Sequence, residues 1–200
     1  MQRQRTQRHK EKIIIAGTGR AGTTFLVQLF TALNFDTGFS LGDIGNVDGI
    51  SHAGLERPIR ADGPYVIKSP WISVTLETQL RQAEVEIHAA IIAVRDLFAA
   101  AQSRRRVYRK AHDAGLDPKK HPGSLWLTEK PSEQEDVLVR KFYDTVIPLI
   151  EHQIETYFVY FPRLAYQAEY LFKCLCPLME EHDVGWEEFH HHIKESRAPS

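Results

Sequence analysis

The segment best equipped for chemistry is Ile13–Leu26, IIIAGTGRAGTTFL. Its loop from Gly17 to Gly22 has the GxxxxG length of a nucleotide phosphate loop. Glycines there let backbone N–H groups converge on an anion, and a following helix adds its positive end. Thr23 and Thr24 bring hydroxyl donors to the first helical turn, and Arg20 brings a cation. The NTPase form of this loop needs a lysine directly after the second glycine. Thr23 stands in that place, so magnesium-nucleotide hydrolysis is disfavoured while anion binding is retained.

The other chemically capable residues fall into two groups. Asp48, His52 and Glu56 lie in a long segment, 36–63, rich in Gly, Asp and Ser and without clear periodicity. A loop of that length in a compact domain often acts as a lid or binding segment. The second group is the histidine run His190–His192. Three consecutive helical residues cannot share a face, so the run is a poor site for one metal ion. The ten histidines otherwise lack zinc spacing, and no metal is expected.

The elements that would position these residues follow from local pattern. Ile13–Ala16 is wholly apolar and bounded by glycine, which predicts a strand buried on both faces. Thr23–Leu33 has apolar residues at helical spacing. Tyr65–Lys68, His88–Val94 and Thr156–Phe161 are further strand candidates. Helices are expected over Ile72–Ala83, Asp96–Ala111, from Pro131 onward and over Ala165–Leu175, with one more short helix after Gly185. Ser132 and Glu135 fit a capping box, and Pro148 should kink the helix that follows. Strands alternating with helices predict an α/β three-layer sandwich with a mostly parallel central sheet, opening on a P-loop-like strand–loop–helix. In such folds ligands bind beyond the carboxyl ends of the strands.

Length and composition narrow the classes further. The 200 residues are 42% hydrophobic and 26% charged, as in ordinary globular domains. A flexible basic arm is expected over 1–11 and one domain over 12–200. The formal net charge of −1, from 25 basic and 26 acidic residues, disfavours a surface that coats nucleic acid. No apolar run approaches the roughly 20 residues of a bilayer span. The basic N-terminus does not read as a secretory signal. Cys174 and Cys176 form neither a disulfide framework nor a zinc motif. A cytoplasmic setting is the expectation.

With these motifs in order, the chain resembles the sulfotransferases that use 3′-phosphoadenosine-5′-phosphosulfate (PAPS). Their phosphosulfate loop reads roughly (K/R)SGTT after a strand. Here it is Arg20-Ala21-Gly22-Thr23-Thr24, with Ala21 where serine is usual. By this resemblance Gly19–Thr24 hold the phosphosulfate, and Arg20 contacts it and stabilises the leaving oxygen. The family's second motif is an arginine ending a strand and a serine eight residues on. Here Arg95 and Ser103 in VRDLFAAAQS match it, which implies a clamp on the 3′-phosphate. Arginine suits that role because its planar fork matches phosphate oxygens. One of Arg104, Arg105 and Arg106 could reinforce this site, with the rest solvated.

The resemblance also implies that Lys68, in Lys68-Ser69-Pro70, sits beside the transferring group, where a cation stabilises developing charge. Trp71 would stack on the adenine, line the substrate site or pack in the core. Transfer to a hydroxyl or amine needs a proton acceptor. Glu56 in GLERP resembles the glutamate of tyrosylprotein-type enzymes, and His52 is the other candidate base. The late segment TYFVYFPRLAYQAEYL corresponds loosely to the family's strand-to-helix "YEDL" region, and no RKG-type segment is present.

The reading that results is a PAPS-dependent sulfotransferase with PAPS as cofactor and 3′-phosphoadenosine-5′-phosphate (PAP) as product. Its acceptor is a small molecule, glycan or lipid of unspecified identity. Two alternatives remain at this stage. One is a P-loop kinase or NTPase, with Ile91–Asp96 as a magnesium-directing strand; the other is a non-catalytic nucleotide-binding relative.

Overall fold

The computed structural model describes residues 11–82 and 85–195. The expected arm lies almost entirely outside them, but Glu11 opens the first strand and pairs with Glu86. Among the described residues four strands form one sheet: β1 (Glu11–Gly17), β2 (Val66–Lys68), β3 (Glu86–Arg95) and β4 (Glu155–Phe161). Their order is β2-β1-β3-β4, and every pairing is parallel. The expected α/β sandwich with a parallel sheet is therefore what forms.

The helices are α1 (Thr23–Ala32), α2 (Ile72–Gln82), α3 (Leu97–Asp113), α4 (Gln134–Glu151), α5 (Arg163–Tyr166), α6 (Ala168–Glu181) and α7 (Trp186–Glu195). The isoleucine run shows how the layers arise. Successive strand side chains point to opposite faces. Ile13 and Ile15 face a core built with α1, α6 and α7. Ile14 and Ala16 face a second core with Ile72 and Leu76 of α2 and Leu149 of α4. Each fully buried isoleucine contributes about 1.5–3 kcal/mol of transfer free energy, which is why this run sits at the centre of the sheet.

Chain direction creates the site. From β1 the chain crosses through α1 to β2 on one side, then returns through α2 to β3 on the other. Right-handed crossovers in opposite directions place α1 and α2 on opposite faces. The carboxyl end of β1 is thus a topological switch point, where a crevice opens.

Several local expectations are corrected. Ser132 and Glu135 form no capping box. Pro131–Glu133 is a 3-10 turn, the N-cap of α4 is Glu133 without a side-chain cap, and Glu135 is drawn away to Arg105. A charge-assisted pair outcompetes a local cap bond. The expected helix Ala165–Leu175 is two helices, because Gln167 is extended between α5 and α6. Helix α4 continues through Pro148 to Glu151. Asp96 caps α3 by accepting a bond from the Ala99 N–H at 2.8 Å. The segment 36–63 has no helix or strand. It is tied down at its far end by Lys12, whose Nζ donates to the carbonyls of Gly63 (2.8 Å) and Ala61 (3.2 Å). Among the described residues no helix is long and apolar enough to cross a membrane.

Candidate active site

A cleft of about 740 Å³ opens where the strands end. Gly17 leads into the glycine loop, Lys68 ends β2, Arg95 ends β3 and Phe161 ends β4. The residues singled out for the loop, the strand ends and the lid nearly all line it: Gly19, Arg20, Gly22, Thr23 and Thr24, with His52, Glu56, Lys68 and Arg95.

The loop takes its shape from close approaches. Gly19 has φ +72, and a Cβ there would lie 2.1 Å from Nη2 of Arg104. Gly22, the N-cap of α1, has φ +85 and abuts Leu164 and Phe161. Arg20 adopts φ +57, a left-handed conformation costly for a non-glycine residue. Its side chain and carbonyl are held in place. Nε donates to Ser103 Oγ at 3.2 Å, and Nη1 donates to the Ser51 carbonyl. Arg95 Nη1 donates to the Arg20 carbonyl at 2.8 Å, while its guanidinium covers the Phe161 ring at 4.8 Å. The residues expected at the two ends of the nucleotide are thus one connected group. Ala21 is fully buried in the α1 core, so a small apolar residue belongs there, and a serine hydroxyl would face hydrocarbon.

Lys68 organises the opposite wall. Its Nζ donates to Thr24 Oγ1 (2.9 Å), the Gly54 carbonyl (2.6 Å) and Glu56 Oε1 (2.8 Å). The lysine side chain is 8% exposed and the glutamate 40%. Burial pulls the Lys68 ammonium below its ordinary range, Glu56 counters this, and Arg20 adds to it. Glu56 therefore stands at the cleft with a cation at hydrogen-bond distance. His52 also lines the cleft but is exposed, with φ +53. Trp71, 53% exposed, lies on the cleft wall rather than in the core.

Three features go beyond the sequence reading. The first is which of the three arginines turns inward: Arg104 is buried and at the cleft, Arg105 is paired with Glu135 rather than solvated as expected, and Arg106 is exposed. Burial, with Arg20 close by, lowers the Arg104 guanidinium to about 9. The run itself was legible in the sequence, and the rotation of α3 selects which member faces inward.

The second is Asp48, which fixes the lid. Its Oδ1 accepts from the N–H groups of Ile50 (3.1 Å) and Ser51 (2.6 Å) and from Ser51 Oγ (2.7 Å). Despite burial, these bonds and His121 hold its carboxyl below the usual range. The third is His121, from the loop after α3. Its Nδ1 is 3.4 Å from Asp48 Oδ2, its side chain is 8% exposed, and its Nε2 has no hydrogen-bond partner. No local motif announces this pair, because 73 residues separate the two in sequence.

Away from the cleft, near the amino end of β3, the fold brings His88, Glu181 and His182 together with donor atoms within 4.8 Å. His88 Nε2 is 2.8 Å from Glu181 Oε2, and His182 Nε2 is 3.2 Å from the Tyr65 hydroxyl. The spacing in sequence did not suggest this cluster. The run His190–His192 lies on α7, with His190 stacked on Trp186 at 4.8 Å.

No protein-family model matches the chain, and no curated protein matches it. Among solved structures, the sulfotransferase domain from the curacin biosynthetic pathway aligns over 95% of this chain and 79% of that chain. The identity is 13% and the TM-score 0.49.

Proposed function

We propose that the protein is a sulfotransferase that binds PAPS in this cleft and transfers its sulfuryl group to a hydroxyl or amine. The observation that carries the reading is the convergence of Arg20, Arg95, Ser103 and Lys68, from four separate elements, around one glycine loop. The cleft fits an anionic donor. Arg20, Arg95 and Arg104 line it without forming an ion pair with any carboxylate among the described residues, and Arg104 Nε has no hydrogen-bond partner. Buried cations require a counter-charge, and a polyanionic nucleotide provides one.

In this reading Arg95 and Ser103 hold the 3′-phosphate, while Gly19–Thr24 and Arg20 hold the phosphosulfate. When bound, PAPS supplies an activated sulfuryl group, and its transfer leaves PAP. Glu56 Oε1 accepts the proton of the attacking hydroxyl or amine, with His52 as the other candidate. Lys68, already at 2.8 Å from that carboxylate, stabilises negative charge on the same wall. No metal is required for these steps. The acceptor is a small molecule, glycan or lipid, and Trp71 offers it an aromatic face.

Calorimetric titration with PAP, ADP and ATP, each with and without magnesium, tests the donor. Tight binding that requires the 3′-phosphate and ignores magnesium is the expected result. Preference for ATP with magnesium would move the protein to the phosphotransferases.

A further inference from the structure

A small pouch of about 50 Å³ opens off the main cleft. The two share Gly19, Thr23, Lys68, Pro70, Arg104 and Trp126. A cavity needs only about 10–15 Å³ to hold a water, so the pouch has room for a larger occupant. Its polar lining is rich in donors. Ser73 Oγ is buried there without a partner. Ser69 Oγ accepts a bond from the Trp71 N–H at 3.3 Å, which leaves its O–H to donate.

Arg104 is the unusual member. It is 8% exposed, its Nη1 donates to the Ser124 carbonyl at 2.8 Å, and its Cζ lies over the Trp126 ring, 5.0 Å from the centroid. Its Nε has no partner, and its Nη2 lies against Gly19 of the loop. A guanidinium offers five N–H donors and no acceptor. Among the described residues no carboxylate pairs with it. Lys68, the other cation of the lining, is already neutralised by Glu56.

We infer that Arg104 and Ser73 form an inner subsite for a tetrahedral oxyanion of the sulfate or phosphate class, behind the glycine loop and beside the Glu56-paired Lys68. Sulfate offers acceptors alone, and a buried guanidinium and hydroxyl offer the matching donors. The oxyanion is either a free inorganic ion or the terminal group of a bound donor. The subsite stands on Arg104 and its surroundings, so it does not need the PAPS reading to be correct.

The experiment titrates inorganic sulfate into the full chain, following thermal stability and calorimetric heat, alone and with saturating PAP or PAPS. Wild type is expected to bind sulfate and to melt at higher temperature. Arg104→Met should weaken sulfate about 10–100-fold, the range for losing a charged hydrogen bond, Ser73→Ala about threefold, and Arg104→Lys should fall between. Sulfate that still binds beside PAPS identifies a free-ion subsite; sulfate that binds beside PAP but is displaced by PAPS identifies a subsite for the donor's terminal group.

Because Arg104→Met could unfold the protein, the Arg104 Nε–H resonance of wild type is followed in parallel and should move with sulfate. Equal sulfate affinity in wild type and Arg104→Met, a stationary resonance, or no sulfate binding by wild type would each overturn the inference. Failure of the PAPS reading shows separately, as PAP binding indifferent to its 3′-phosphate.

Discussion

The two walls of the cleft handle buried charge in opposite ways. On the β2 side, Lys68 and Glu56 neutralise each other at 2.8 Å, and both also face the cleft. On the β3 and α3 side, Arg20, Arg95 and Arg104 gather around the loop, bonded mainly to backbone carbonyls and a serine. A paired lysine and glutamate are neutral together, and the glutamate, half-exposed at the cleft, is a carboxylate that can accept a proton. An arginine cluster without paired carboxylates is a unit that waits for an anion. The comparison separates what the residue types alone leave mixed, and under the proposed function it assigns proton transfer to one wall and the donor to the other.

The largest expected effect lies on the paired wall. Glu56→Gln should reduce sulfuryl transfer about 10²–10⁴-fold, the usual range for losing a general base. PAP affinity should stay within about threefold, because the arginine wall is untouched. Turnover across a panel of phenols, sugars and amines, beside PAP calorimetry, checks both halves. A retained rate in Glu56→Gln, lost instead in His52→Gln, would move the base along the lid.

The converse substitution is next. Arg95→Ala should weaken PAP about 10–100-fold, as expected for a charged hydrogen bond to phosphate, while ADP, which lacks the 3′-phosphate, loses little. An equal loss for both nucleotides would mean that Arg95 acts through the Arg20 carbonyl instead, by holding the loop.

A smaller effect comes from pH. The group whose titration matters is Lys68: burial lowers its ammonium from the ordinary range, Glu56 counters this and Arg20 adds to it, whereas an anion bound beside it favours the charged form. Where Lys68 has lost its proton, sulfate binding must take one up, so affinity falls as pH rises through the Lys68 titration. The other charged and titratable groups that line the cleft are Glu56, His52, Arg20, Arg95, Arg104, Lys119 and His121. Calorimetry in two buffers of different ionisation enthalpy measures the proton uptake.

The smallest change is expected where charge is paired outside the cleft. Glu135→Gln removes the partner of Arg105 between α3 and α4, and should cost about 1 kcal/mol or less. Chemical denaturation measures it, with PAP affinity unchanged.

Much of this protein is readable from local pattern. The isoleucine run, the glycine loop and the amphipathic stretch after it specify β1, the turn and α1, because each depends on residues adjacent in sequence. The alternation of strands and helices likewise implies an α/β sheet, and the parallel crossovers then require a crevice at the strand ends. The spacing of Arg95 and Ser103 was legible because one helix carries the serine back toward the strand end.

Tertiary packing decided the rest. Three consecutive arginines look alike in the sequence, yet the rotation of α3 buries Arg104, pairs Arg105 and leaves Arg106 in water. The Lys68–Glu56 pair and the Asp48–His121 contact join segments 12 and 73 residues apart. Helix rotation and loop closure are set by the whole core, and no local spacing encodes them. That is why the sequence alone determined which residue types surround the glycine loop, while only the folded chain decided which cation lacks a counter-charge.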